Sequence, residues 1–190
     1  ASKLKSISPW AFRDLTKHAA ACYQSLEFSA AGSALEMALW DILGKLLNAP
    51  LCDLLGGNHN RAIAIYGNIW STTQWDVASL ETRATDLVAQ GYRAIKIHPM
   101  LNHTAQDAVN CVNQVRAAIG GDIALLVDLD SQNNADAAIQ IAQAIEPAHP
   151  YWFEEPIDGS DIRALAQIRK DQALRVVTSE KHCGLAHFRA

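Results

Sequence analysis

Three acidic residues close three short apolar runs. Asp128 follows Leu125-Leu126-Val127, Glu154 follows Tyr151-Trp152-Phe153, and Glu180 follows Val176-Val177-Thr178-Ser179. Asp128 to Glu154 is 26 residues, and Glu154 to Glu180 is again 26. One strand, one return helix and two loops consume about that much chain. A continuous hydrophobic run reads as a buried parallel strand, whose C-terminal end opens on the ligand face of an α/β fold. The period therefore predicts three carboxylates side by side at the ends of three neighbouring strands. Three converging acids repel one another unless a cation lies between them, and hard oxygen ligands of this kind suit Mg²⁺.

A second constellation lies in Ala94-Ile95-Lys96-Ile97-His98. Strand side chains alternate faces, so Lys96 and His98 share one face while Ile95 and Ile97 point towards covering helices. A charged group inside a sheet is costly unless it faces an active site or pairs with acids. A Lys and a His beside a metal cage can hold a substrate carboxylate and remove a proton. The same two side chains can also serve stability alone, as partners of Asp128 or Asp130. Asp130, two residues after Asp128, is expected on the same strand face, where it would contact a ligand or a metal's waters. Asn68, at the end of an earlier strand, is a further candidate for substrate contact.

The elements that must position these groups follow from the pattern of the chain. Ser8-Pro9-Trp10 resembles a helix entry, and helical patterning runs to about Leu26. A second helix is predicted from roughly Ser29 to Leu47, with Leu35, Leu39, Ile42, Leu43 and Leu46 on one stripe; Glu36 and Asp41 on it read as structural or surface groups. Pro50 and Gly56-Gly57 end this helical section. Strand and helix then alternate: strands at Ala62–Tyr66, Ala94–His98, Ile123–Asp130, Tyr151–Glu154 and Val176–Glu180, with helices near 74–90, 104–119, 134–145 and 161–170 between them. Such alternation argues for a parallel sheet with right-handed crossovers, an α/β fold of TIM-barrel type.

Composition narrows the function. Apolar residues make up 49% and charged residues 19% of 190, and the net charge is −4; that balance leaves no electrostatic footprint for nucleic acid or an anionic membrane. No apolar run approaches the roughly 20 residues of a membrane span, and no signal-peptide pattern is visible. Cys22, Cys52, Cys111 and Cys183 show no CxxC spacing, which fits reduced thiols in a cytoplasmic setting.

With these residues in place, the chain resembles the enolase superfamily, and within it the mandelate racemase and muconate-lactonizing family. Ser33-Ala34-Leu35-Glu36-Met37-Ala38-Leu39-Trp40-Asp41-Ile42-Leu43-Gly44-Lys45 is similar to the helix joining that family's capping domain to its barrel, and Leu54-Leu55-Gly56-Gly57 to the lead into its first barrel strand. Phe153-Glu154-Glu155-Pro156 resembles its fourth-strand signature. The resemblance implies Asp128, Glu154 and Glu180 as Mg²⁺ ligands, and a Glu as third ligand looks more like the mandelate racemase branch. It implies abstraction of the proton α to a carboxylate, with an enediolate stabilised by Mg²⁺. Lys96 would polarise the carboxylate, and His98 would stand where the family's second lysine often acts as base, an imidazole being a reasonable base near neutrality.

The expected fold is thus a partial (β/α) barrel of about five parallel strands with outer helices (residues 58–190), after a helical remnant of the capping domain (residues 1–57). The family's remaining strands, with their Asp–His dyad, would lie beyond Ala190, and His182 and His187 read as loop or surface residues. The expected substrate is a small carboxylate such as a sugar acid or hydroxy acid. The expected reaction is acid-sugar dehydration, with racemisation, epimerisation or cycloisomerisation as alternatives. A partial barrel exposes sheet edges and invites association. That leads to an expected homo-oligomer and, from a different class, to the reading of a non-catalytic, metal-binding or self-associating chain.

Overall fold

The computed structural model describes residues 26–57, 62–70, 76–100, 104–132 and 134–183. The helix predicted from Ser8, together with Cys22 and His187, lies outside them. The described residues group into two compact units, the second being Ala64–Glu180.

The first unit is helical. α1, Leu26–Leu47, ends in Asn48, whose φ of 50° is left-handed. Ala49 N–H then closes back on the Gly44 carbonyl at 3.0 Å, satisfying a carbonyl that the helix end would leave unpaired. Pro50 opens the one-turn helix α2, Leu51–Leu54, and Gly56 and Gly57 follow with φ of 118° and 91°. Asp41 is an exposed partner of Lys45 at 2.6 Å, one turn on, the surface role expected of it. Leu35, Ile42 and Leu46 of the predicted stripe are exposed among the described residues.

The second unit is an open parallel sheet, β1 (Gly67–Ile69), β2 (Ala94–Ile97), β3 (Ala124–Asp128), β4 (Trp152–Glu154) and β5 (Val176–Val177), in the spatial order of the chain. Helices α3 (Val77–Ala89), α4 (Ala105–Ile119), α5 (Ala135–Ile145) and α6 (Ile162–Asp171) return the chain between successive strands. Side chains at Asp76, Thr104, Asn134 and Asp161 accept backbone N–H groups at the helix starts. Each supplies an oxygen to donors that have no partner within the helix. Thr104 and Asp107 form a reciprocal capping box.

The alternation of β2 to β4 builds the core. Ile95, Ile97, Leu125, Val127 and Phe153 are fully buried with Val112, Val115, Ile141, Ile145 and Ile168 of the helices, so one face of the sheet is an apolar layer under α4 to α6. The opposite face carries Asn68, Lys96, Asp128 and Glu154. Arg116 of α4 ties the other end of the unit together, donating to the carbonyls of Gly120, Ile123 and Ala148, each at 2.7 Å. No helix among the described residues is long and apolar enough to cross a membrane.

Two strands depart from the sequence expectation. The alternating segment Ala62–Tyr66 is not a strand. The ladder begins at Gly67 opposite Ile95, and residues 62–66 join no strand among the described residues; Ile63 and Ile65 are 79% and 69% exposed. β5 stops at Val177, and the chain turns at Glu180–Lys181.

Candidate active site

The polar face of the sheet converges at its C-terminal rim. Asp128 and Glu154 are direct register partners on β3 and β4, so their Cα atoms are neighbours and their side chains leave the sheet on the same side. Lys96 reaches forward from β2 and places its Nζ 3.1 Å from Asp128 Oδ2 and 2.9 Å from Glu154 Oε1. Only 8% of Lys96 and 3% of Asp128 is exposed. Burial pushes the Lys96 ammonium towards losing its proton. The hydrogen bonds and charges of Glu154 and Asp128 more than offset this, and its pKa is raised above the ordinary lysine value. Lys96 is therefore a fixed positive charge at this rim.

His98 is the first residue past β2. Its Nδ1 lies 3.4 Å from Asp128 Oδ2 and its Nε2 3.3 Å from Asn68 Oδ1. Burial lowers its pKa below the ordinary imidazole value, the charge of Lys96 adds to that, and the opposing pull of Asp128 is not enough to reverse it. His98 is thus a neutral imidazole near pH 7, competent to accept a proton.

Asp130 and Glu180 stand differently from their sequence expectations. The strand containing Asp128 has ended before Asp130, because Asp128 Oδ1 accepts the Asp130 N–H at 3.0 Å and the chain enters the left-handed region at Asp130 (φ 52°) and Ser131 (φ 56°). Asp130 is consequently an exposed loop residue, and strand alternation does not set its direction. Glu180 is also exposed and lies beyond its strand. The equal sequence spacings conceal unequal registers: Glu154 sits opposite Asp128 on one side but opposite Val177 on the other. Among the described residues no group of three His, Cys, Asp or Glu stands close enough to hold a metal ion. The pair Asp128 and Glu154 nevertheless meets the chemistry of Mg²⁺. Two hard carboxylates from adjacent strands converge on one cation, here the Lys96 ammonium, and Mg²⁺ commonly takes one or two protein carboxylates with water and substrate oxygens for the rest.

Two site residues escaped the sequence reading. Trp152, two positions before Glu154 and so on the same strand face, donates its indole N–H to Glu154 Oε2 at 2.9 Å. Glu154 is thereby held through both oxygens. Tyr66 stacks edge-on against Trp152, with ring centroids 5.8 Å apart, and presents its face to Lys96 Nζ, also at 5.8 Å. The period-two alternation Trp152–Glu154 was the available signal. Glu155 is the second: it is 1% exposed and accepts hydrogen bonds from the loops after both β3 and β5. An acid following a strand-end acid gives no sequence sign of that.

Comparison with known proteins agrees with this architecture. Residues 79–190 match the family described as enolase C-terminal domain-like, and residues 10–56 match the mandelate racemase / muconate lactonizing enzyme N-terminal domain. A D-gluconate dehydratase of Thermoproteus tenax is 34% identical over 165 residues, covering 83% of this chain and 33% of that protein. A 3,6-anhydro-alpha-L-galactonate cycloisomerase of Streptomyces coelicolor is 32% identical over 153 residues, covering 80% of this chain and 41% of that protein. Among solved structures, a racemase from Streptomyces coelicolor with bound magnesium superposes with a TM-score of 0.83 at 26% identity, covering 94% of this chain and 55% of that one. The chain spans between a third and about half the length of these relatives.

Proposed function

The chain belongs to the mandelate racemase / muconate lactonizing enzyme family of the enolase superfamily, and from that premise we propose that the protein abstracts the proton α to a carboxylate in a Mg²⁺-dependent reaction, with dehydration of a sugar acid as the net chemistry. The observation that carries this reading is Lys96, buried and cationic between Asp128 and Glu154, with the neutral imidazole of His98 against the same Asp128 carboxylate.

A proton α to a carboxylate is very weakly acidic, so its removal requires concentrated positive charge where the enediolate forms and a base of suitable pKa beside the carbon. Asp128, Glu154 and Glu180 would hold Mg²⁺, Glu180 reaching in from its loop. A bound Mg²⁺ supplies Lewis-acid stabilisation of the negative charge that builds on the substrate carboxylate. Lys96 contributes a second fixed cation at the same place. The tautomer of His98 with Nδ1–H towards Asp128 leaves the Nε2 lone pair for the substrate proton. In the resting structure Nε2 faces the Asn68 Oδ1 acceptor at 3.3 Å, which suits the Nε2–H tautomer, so substrate binding would displace Asn68 and shift the ring proton to Nδ1. Trp152 keeps Glu154 from swinging away while the charges rearrange. Asp130, exposed at the mouth, is available to hydroxyl groups of a sugar acid. Departure of the β-hydroxyl as water, carrying the proton that His98 has taken, completes a dehydration, and delivery of a proton to the opposite face by a second acid would give racemisation.

The test is proton exchange. The intact protein is incubated with Mg²⁺ and a panel of sugar acids in D₂O and followed by NMR. The expected result is exchange of the α-hydrogen of one of them with loss of water to a 2-keto-3-deoxy acid. Exchange with inversion and no loss of water would move the assignment to racemase. Ring opening or closure without loss of water would move it to cycloisomerase. Absence of both exchange and Mg²⁺ binding would overturn it.

A further inference from the structure

We propose that Glu155 is a positioning residue. Its buried carboxylate clamps the loops after β3 and β5 together and so fixes the backbone from which Glu180 would reach a metal held by Asp128 and Glu154; this rests on the metal-site reading above. The backbone of Glu155 already joins both neighbours: its N–H donates to the Val177 carbonyl at 2.9 Å, and its carbonyl accepts the Ser131 N–H at 2.9 Å. The side chain repeats the same link. Oε2 accepts from Ser131 Oγ at 3.3 Å, and Oε1 accepts from Thr178 Oγ1 at 2.9 Å, Ser179 N at 2.6 Å and Glu180 N at 3.3 Å. Arg175 and Val177 face β4 through their carbonyls, so the Ser179 N–H is the next donor the ladder would have used; the Glu155 carboxylate takes it instead, and the strand ends at Val177.

Backbone conformation supports a clamp rather than incidental packing. Of the six non-glycine residues with positive φ among the described ones, four lie at this rim: Asp130 at 52°, Ser131 at 56°, Glu155 at 41° and Ser179 at 124°. Such conformations are costly and persist where surrounding contacts over-determine them. Three of these residues are joined directly by the Glu155 carboxylate. A carboxylate with 1% exposure is itself tolerated only when hydrogen bonded on all sides. Each end of the clamp thus stabilises the other. A shift of Glu155 frees the one candidate ligand that no strand holds in register, while Asp128 and Glu154 keep their ladder positions.

The experiment compares the intact wild-type protein with Glu155→Gln, Glu180→Gln, the double variant and the milder Thr178→Val, which removes one donor to Oε1 while keeping the β-branched shape. Amide hydrogen exchange of residues 178–181 is measured without metal, and Mn²⁺ affinity is measured by calorimetry. Glu155→Gln is expected to speed exchange in that segment and to weaken Mn²⁺ by about 10- to 100-fold, the usual scale for losing a partner that orients a ligand. Thr178→Val is expected to do both to a smaller degree, and it carries the test if Glu155→Gln fails to fold. On the Glu180→Gln background, Glu155→Gln is expected to add almost nothing to the loss of affinity. Unchanged exchange would overturn the clamp. Faster exchange with unchanged affinity, or additive losses in the double variant, would overturn its role towards Glu180. A wild type that binds no Mn²⁺ would instead overturn the metal-site reading, which the exchange measurement does not depend on.

Discussion

Lys96 lies on β2 and His98 is the first residue past it, yet the site treats them oppositely. Lys96 keeps its proton because two acids meet its ammonium head at 2.9 and 3.1 Å. His98 loses its proton because burial, with the neighbouring ammonium, outweighs the opposing charges of Asp128 at 3.4 Å, Glu154 and Asp130. A fixed cation beside a neutral base is the division of labour that proton abstraction requires. Lys96→Ala should therefore weaken both substrate binding and turnover, and it leaves Asp128 and Glu154 without the cation that separates them. His98→Ala should slow exchange of the substrate α-hydrogen by about 10²- to 10⁴-fold, the contribution of a positioned general base, with Mg²⁺ affinity nearly unchanged. NMR exchange and calorimetry read the two effects separately, and a His98→Ala protein that kept its exchange rate would place the base on the other face of the substrate. Thiol chemistry gives a check independent of function. Burial pushes the Cys111 thiol up to about 12, so in the folded state it stays protonated well above pH 8 and should resist iodoacetamide, whereas the exposed Cys52 is labelled. Peptide mass spectrometry with and without urea reads the difference, and labelling of Cys111 in the native state would contradict the packing of α4.

At the scale of elements, the helices were legible because their starts carry explicit chemistry. Thr104, Asn134 and Asp161 are side-chain caps whose oxygens take the first free N–H groups, and the sequence marks them by residue type. The three central strands were legible because buried parallel strands are continuous apolar runs. What failed was register. Ala62–Tyr66 alternates as a strand should, but pairing starts at Gly67 because that is the residue facing Ile95, and no local pattern reports a partner's position. Likewise Asp128 and Glu154 are aligned as their spacing implied, whereas Glu180 overshoots the level at which Val177 meets Glu154. Gly67 itself shows why the first strand sits where it does: a Cβ there would meet Leu87 Cδ1 of α3 at 2.7 Å. Gly67→Ala should destabilise the protein by about 1 kcal/mol through overpacking, and Leu87→Ala should recover part of that loss in the double variant. Thr104→Ala, which removes one half of the capping box, should cost about 1 kcal/mol. Urea denaturation measures all three, and an additive Gly67/Leu87 double variant would deny their contact.

For the molecule as a whole, the sheet order leaves β1 and β5 each with a single paired neighbour among the described residues. Both are short, three and two residues, which limits but does not remove their capacity to add a further strand. The apolar residues beside them are open: Ile65 and Trp70 flank β1, and Val177 closes β5, all exposed. A parallel sheet of this kind is normally covered on both faces and closed or capped at its edges. We propose that these two edges drive association of the 190-residue chain. Sedimentation velocity over a wide concentration range should show association that grows with concentration. Ile65→Lys, at a position 69% exposed, should shift the distribution towards monomer. Because that side chain makes little of the core, the far-UV circular dichroism and urea midpoint of Ile65→Lys should match those of wild type. A wild-type chain that stayed monomeric throughout would mean that the edge beside β1 is satisfied within the chain itself. An associated chain indifferent to Ile65→Lys would move the contact to the β5 edge, where Val177→Lys becomes the corresponding test.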